Sequence, residues 1–139
     1  MGNTTSTKYI NFEDIQYAIS NNKEYIIINT LLPNKQECLI SGTLPILDET
    51  NILNDHLKAN KSINIIIYGM NSSDSSVNKK YDQLISLGFH NVFIYSGGLF
   101  EWLLLQDIYG RDMFLTTTHE RDILKFKGSK TLNVKLLTN

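Results

Sequence analysis

The stretch IIIYGMNSSDSSVNKKYDQLISLGF, Ile65 to Phe89, reads as a strand, a polar loop and a helix in succession. Ile65 to Tyr68 ends a β-branched apolar run, the composition of a strand covered on both faces. Val77, Tyr81, Leu84 and Ile85 fall at i, i+4, i+7 and i+8, which is one face of a helix. Ser73 or Asp74 is placed to cap that helix. Gly88 suits the left-handed position just past its end, and Phe89 can fold back on Leu84 in a Schellman-type stop. In α/β proteins such a junction points backbone N–H groups at an anion or holds a nucleophile. Here Gly69 to Ser76 contains no Cys, His, Arg or Lys. The fold builds the loop and leaves it without a reactive group.

The elements around it repeat the pattern. YIIIN, Tyr25 to Asn29, and INIIIY, Ile63 to Tyr68, read as covered strands, the second near the sheet centre. NVFIY, Asn91 to Tyr95, is a third, and the glycine turn and apolar helix of GGLFEWLLL follow over Gly97 to Leu105. Asn11 can cap a first helix with Asp14 in its first turn, where a carboxylate favours the positive helix end. Ile10 can pack on Ile15 as a staple, Phe12, Ile15 and Ile19 share a face, and Asn21-Asn22 ends the helix. GTLPI, Gly42 to Ile46, suits a very short edge strand, because Pro45 cannot donate to a ladder. A weaker helix fits within Asn51 to Ala59. Alternating strands and helices predict a small three-layer α/β domain: a central, mostly parallel sheet with helices on both faces.

Composition limits the functional classes. The chain has 139 residues, 42% of them apolar, and a net charge of −1. That fits one globular domain with a core of its own. Lysines and arginines are scattered among acids, so no nucleic-acid footprint is present. A lone cysteine, Cys38, excludes an internal disulfide framework and fits a reducing, cytoplasmic compartment. Its ordinary role is that of a small packed residue. Ser72, Ser73, Ser75 and Ser76 have no base beside them in sequence and suit helix capping. His56, His90 and His119 lack metal-ligand spacing, so neither a metal nor a cofactor is expected. Trp102 is expected in the core.

Beyond Gly110 the pattern changes. TTTHERDILKF offers Thr caps and a short helix, and TLNVKLL alternates as an edge strand or docking tail. The expected organisation is a leader over 1–8, a domain over 9–110 and an extension over 111–139 that packs on the domain.

These pieces in this order resemble the rhodanese-like domain family from about Tyr9 to Tyr109. YINFEDIQYAI is similar to the family's first short strand and helix. EYIIIN matches its first central strand, with Asn29 where the family carries an acid. CLISGTLPI resembles its G-H-I-P-G-A turn without the His. LGFHNVFIYSGGLFEW carries the most specific combination: Gly88-Phe89, Asn91-Val92, Gly97-Gly98 and Trp102. The resemblance implies a catalytic Cys directly after the central strand, whose thiolate accepts a sulfane sulfur while loop N–H groups hold the anion. The matching position is Gly69. In phosphatase relatives an Arg follows that Cys by six residues and clamps phosphate, and the matching residue here is Ser75. Asp74 adds a negative charge to the loop.

The resemblance therefore implies a catalytically inactive member with no catalytic residue. Its vestigial loop spans Gly69, Met70, Asn71, Ser72, Ser73, Asp74 and Ser75, and its expected role is a protein-interaction or regulatory module. The alternative is an enzyme: a sulfurtransferase working through Cys38, or a hydrolase or phosphatase-like activity at loop 69–76. MGNTTS also fits the N-myristoylation pattern at Gly2. One acyl chain without a basic cluster gives weak, peripheral membrane attachment. The partner's identity and the oligomeric state stay open, although a short exposed edge strand allows pairing in a dimer.

Overall fold

The structure, a computed structural model, describes residues 7–132. Its sheet has four strands, β1 (Lys8–Ile10), β2 (Tyr25–Asn29), β3 (Asn64–Tyr68) and β4 (Asn91–Tyr95). They are parallel and ordered β1-β4-β3-β2. Four helices connect and follow them: α1 (Phe12–Ser20), α2 (Ile46–Ala59), α3 (Ser75–Leu87) and α4 (Gly98–Tyr109). The chain crosses the whole sheet from β1 to β2 and then steps back through β3 to β4. Right-handed crossovers therefore put the helices of the two journeys on opposite faces.

Side-chain alternation explains the isoleucine runs. Ile26, Ile28, Ile65, Ile67, Val92 and Ile94 pack with Leu53 of α2 and with Val77 and Leu84 of α3. Ile27, Ile66, Tyr68 and Tyr95 point the other way and pack with Ile15 and Ala18 of α1 and with Leu99, Trp102 and Leu103 of α4. Both faces are buried, so no polar residue interrupts the central strands. This is the three-layer α/β arrangement with a central parallel sheet.

Local signals are realised where they are strongest. Asn11 Oδ1 accepts from the Glu13 and Asp14 N–H groups at 2.9 and 3.4 Å, and the Asn11 N–H donates to Asp14 Oδ2 at 3.0 Å. That reciprocal pair is a capping box. Gly88 takes φ 113°. The Gly88 N–H donates to Ile85 O at 3.0 Å and the Phe89 N–H to Leu84 O at 3.2 Å, which completes the Schellman stop.

Four expectations are corrected. GTLPI is not a strand: Thr43 makes one bridge with Ile27, and the Leu44 N–H donates to Ile27 O at 2.8 Å. Pro45 instead sits at the cap of α2, which begins at Ile46 rather than after Asn51. The sequence hides this start because the apolar residues of the first turn, Ile46 and Leu47, are exposed, Leu47 almost wholly, and the buried residue of α2 is Leu53. Helix α4 runs past Leu105 to Tyr109. The threonines of TTTHERDILKF cap no helix. Only a 3-10 turn, Ile123–Phe126, forms there, with Asp122 at its cap.

Those threonines belong to a strap. The Thr117 N–H donates to Leu39 O at 2.8 Å, the Ser41 N–H donates to Leu115 O at 3.0 Å, and the Leu39 N–H donates to Thr117 Oγ1 at 3.0 Å. The strap fixes Phe114 and, further on, Phe126, which are both buried against the α1–α4 face. Trp102 is wholly buried there as well, and its Nε1–H donates to Leu115 O at 3.0 Å. Most of TLNVKLL and all of MGNTTS, Gly2 included, lie outside the described residues. Among the described residues, no helix is long and apolar enough to cross a membrane.

Candidate functional site

The loop after β3 lies at the C-terminal end of a central strand, where open α/β sheets place ligands. Gly69 is buried, Met70 and Asn71 are half-buried, and Ser72, Ser73 and Ser75 are exposed. Asp74 is the cap of α3, but its side chain turns inward. Its Oδ1 accepts from the Ser76 N–H at 3.0 Å and from Ser76 Oγ at 2.6 Å. Its Oδ2 accepts from the Met70 N–H at 2.9 Å. One carboxylate thus spans the loop, from the residue after Gly69 to the first turn of α3.

This geometry accounts for glycine at position 69. A Cβ there would stand 2.5 Å from Asp74 Oδ2 and 2.6 Å from Val77 Cγ2. Any larger residue must displace the carboxylate that fills the loop. The carbonyl side is equally committed. The Leu99 N–H donates to Gly69 O at 2.9 Å and the Phe100 N–H to Met70 O at 2.8 Å, so the first turn of α4 caps the loop's own oxygens. Gly98 permits this approach: it takes φ 67°, and a Cβ would lie 2.7 Å from Gly69 O.

Two neighbours complete the frame. With the Ser76 proton on Asp74, the Thr30 hydroxyl donates to Ser76 Oγ at 2.7 Å, which ties α3 to the end of β2. Asn71 Nδ2 donates to Phe126 O at 2.9 Å, drawing the C-terminal segment over the loop. A groove of about 550 Å³ remains between the loop and residues 127–131, with Leu31, Leu32 and Met70 in its lining. Neither neighbour was anticipated, because Thr30 and Phe126 lie 46 and 55 residues from their partners and carry no local signal.

The other candidates stand apart from this loop. Cys38 is 3% exposed, and its Sγ donates to Thr118 O at 3.4 Å beneath the strap. Asn29 is buried and exchanges hydrogen bonds with the Gln36 amide: its Oδ1 accepts from Gln36 Nε2 at 2.7 Å, and its Nδ2 donates to Gln36 Oε1 at 3.1 Å. His90 and His119 are exposed and His56 is half-buried. Among the described residues no cluster of His, Cys, Asp or Glu could hold a metal ion. Two tyrosines are perturbed. Burial, against the hydrogen bonds of Thr43 and Ile40, pushes the Tyr68 hydroxyl well above its ordinary value. Burial, reinforced by the hydrogen bond and charge of Glu101, does the same for Tyr95, whose OH donates to Glu101 Oε2 at 2.6 Å. Both stay protonated and act as structural donors.

No curated protein matches this sequence. Among solved structures, a yeast protein tyrosine phosphatase of the rhodanese family, Ygr203w, superposes with a TM-score of 0.62 at 14% identity, covering 87% of this chain and 99% of that one. The BH2092 protein from Bacillus halodurans gives a TM-score of 0.58 at 19% identity, over 75% of this chain and 74% of that one. The Alr3790 protein from Anabaena gives 0.54 at 22% identity, over 73% and 88%. These likenesses establish the fold. A family profile described as the rhodanese-like domain matches residues 14–105, from the first turn of α1 through most of α4. That span holds β2, β3, β4 and the loop between β3 and α3, and on it the chain belongs to the rhodanese-like domain family.

Proposed function

We propose that this chain is a non-catalytic rhodanese-like domain that serves as a protein-interaction or regulatory module. The observation that carries the reading is the Asp74 carboxylate on the Met70 and Ser76 N–H groups beside a glycine that has no room for a side chain. A persulfide-forming thiolate needs those donors and a Cβ at position 69. A phosphate clamp needs them too, with an Arg in the loop. Here the donors are satisfied internally, and an anion arriving from solution meets a like charge. Burial of Cys38 under the strap argues against its acting as a relocated nucleophile.

A thiosulfate–cyanide sulfur-transfer assay on the purified protein, beside Cys38→Ser, tests this. Neither protein is expected to form thiocyanate above background. Turnover by the parent that disappears in Cys38→Ser would sink the reading and place the chemistry at that thiol.

The proposal includes acylation at Gly2, supported by the MGNTTS pattern alone. Attachment through a single chain would be weak and reversible. Gly2→Ala is expected to move the protein from the membrane to the soluble fraction of cells that express it. An unchanged distribution counts against acylation and leaves the module reading intact.

A further inference from the structure

The chain holds eleven lysines but only two arginines, Arg111 and Arg121. Both line one cavity of about 460 Å³ on the far side of α4, together with His119. It shares no lining residue with the groove at the loop. Neither guanidinium makes an ion pair or side-chain hydrogen bond among the described residues, where the ion pairs are Lys80–Glu49 and Lys125–Glu120. Guanidinium groups recognise planar or tetrahedral oxyanions through paired N–H donors, which a lysine cannot imitate.

Gln106 supplies a second, independent observation. It is 95% buried, at 5% exposure, and lines the same cavity. Its Nε2 donates to Phe114 O at 2.7 Å and to Thr116 Oγ1 at 3.0 Å, which fixes the orientation of the amide. Its Oε1 accepts from no group among the described residues. No described buried side-chain polar atom lacks a partner, so this oxygen meets the open space of the cavity. The residue is held rigidly while this oxygen stays accessible, so it offers a fixed acceptor to a ligand that enters the cavity.

The lining also sets limits. Leu103 and Ile123 provide an apolar floor, and Asp107 and Glu120 bring negative charge. Glu120 is already engaged by Lys125 at 2.5 Å, so the two arginines outweigh the one remaining carboxylate. A strong oxyanion is required to exploit that margin, and an accompanying N–H satisfies Gln106. We propose that this cavity binds a phosphate monoester carried on a peptide, with the phosphate between Arg111 and Arg121 and a backbone N–H of the peptide on Gln106 Oε1. This rests on the interaction-module reading and names its partner's chemistry: a phosphorylated protein segment.

The test is a titration of the full chain, labelled with 15N, with N-acetyl-phosphoserine N-methylamide. Inorganic phosphate and the matching aspartyl compound serve as comparison probes. Saturable shifts are expected at the Nε–H signals of Arg111 and Arg121, with inorganic phosphate binding more weakly because it lacks the N–H donor. Arg111→Gln and Arg121→Gln should each weaken binding about tenfold, the scale of one lost charge-assisted hydrogen bond. Lys23→Gln, an exposed charge on the turn after α1, should leave binding unchanged. Absence of saturable shifts overturns the site, as does equal binding of the aspartyl compound or an equal loss in Lys23→Gln. None of these outcomes bears on sulfur transfer, so failure here and failure of the non-catalytic reading are separately visible.

Discussion

Gly98→Ala is expected to lower stability by about 2–5 kcal/mol. Two costs combine. The backbone stands at φ 67°, where an L side chain crowds its own carbonyl at about 1–2 kcal/mol. The new methyl would also lie 2.7 Å from Gly69 O and 2.9 Å from the Asn71 nitrogen, and these backbone atoms cannot swing aside. Forcing them apart breaks the approach through which Leu99 and Phe100 donate to the loop. Overpacking of this sort adds about 1–3 kcal/mol. Gly88→Ala is the companion measurement: its backbone is left-handed too, at φ 113°, but a Cβ there meets only the flexible Lys61 side chain, at 3.7 Å. Denaturant midpoints of the two variants separate strain from contact. Equal losses would mean that the approach of α4 to the loop contributes nothing.

Gly69→Cys restores the residue that the family resemblance places at the end of β3, and it is expected to harm the protein without restoring chemistry. Its Cβ displaces Asp74 or Val77. Overpacking costs about 1–3 kcal/mol. Losing a hydrogen bond from Met70 or Ser76 to the carboxylate costs about 1.5–3 kcal/mol more. We expect a net loss of about 3–5 kcal/mol and background sulfur transfer. Asp74→Ala on its own should cost about 2–5 kcal/mol, because it removes both the helix cap and the bond from the Met70 N–H. In the double variant the losses should fall short of their sum by about 1–3 kcal/mol, because the clash is gone once the carboxylate is gone. Additive losses in denaturant unfolding would show that Asp74 does not occupy the space a side chain at 69 requires.

What could be read from the sequence follows how far each signal reaches along the chain. Asn11 with Asp14, and Val77 with Tyr81 and Leu84, are patterns within two turns, and the structure reproduces them. Gly88 and Phe89 announce the end of α3 by conformation and contact within five residues. Asp74 was legible as a cap and as a charge opposed to anions. Its second bond, back to Met70, was not, since helix propensity carries no information about which way a capping carboxylate also leans. The α2 start failed because Pro45 reads equally as a strand edge and a helix cap, and Leu47 supplies apolar character with no burial behind it. The threonine strap failed for a different reason. Thr116 to Thr118 look like caps until Leu39 and Cys38, about 80 residues earlier, come to lie beside them.

The burial of Phe114 and Phe126 bears on the order in which the molecule can be completed during synthesis. Domains emerge from the ribosome N-terminus first. The layer formed by α2 and α3 draws its buried residues from Ile26 to Ile94, so that side can close as soon as β4 has appeared. The opposite layer cannot. It needs Trp102 and Leu103, then Phe114, and last of all Phe126, which also brings its carbonyl to Asn71. A nascent chain therefore carries one sealed face and one open face until Phe126 has been made, and the segment that closes the second face is the one that settles over the loop.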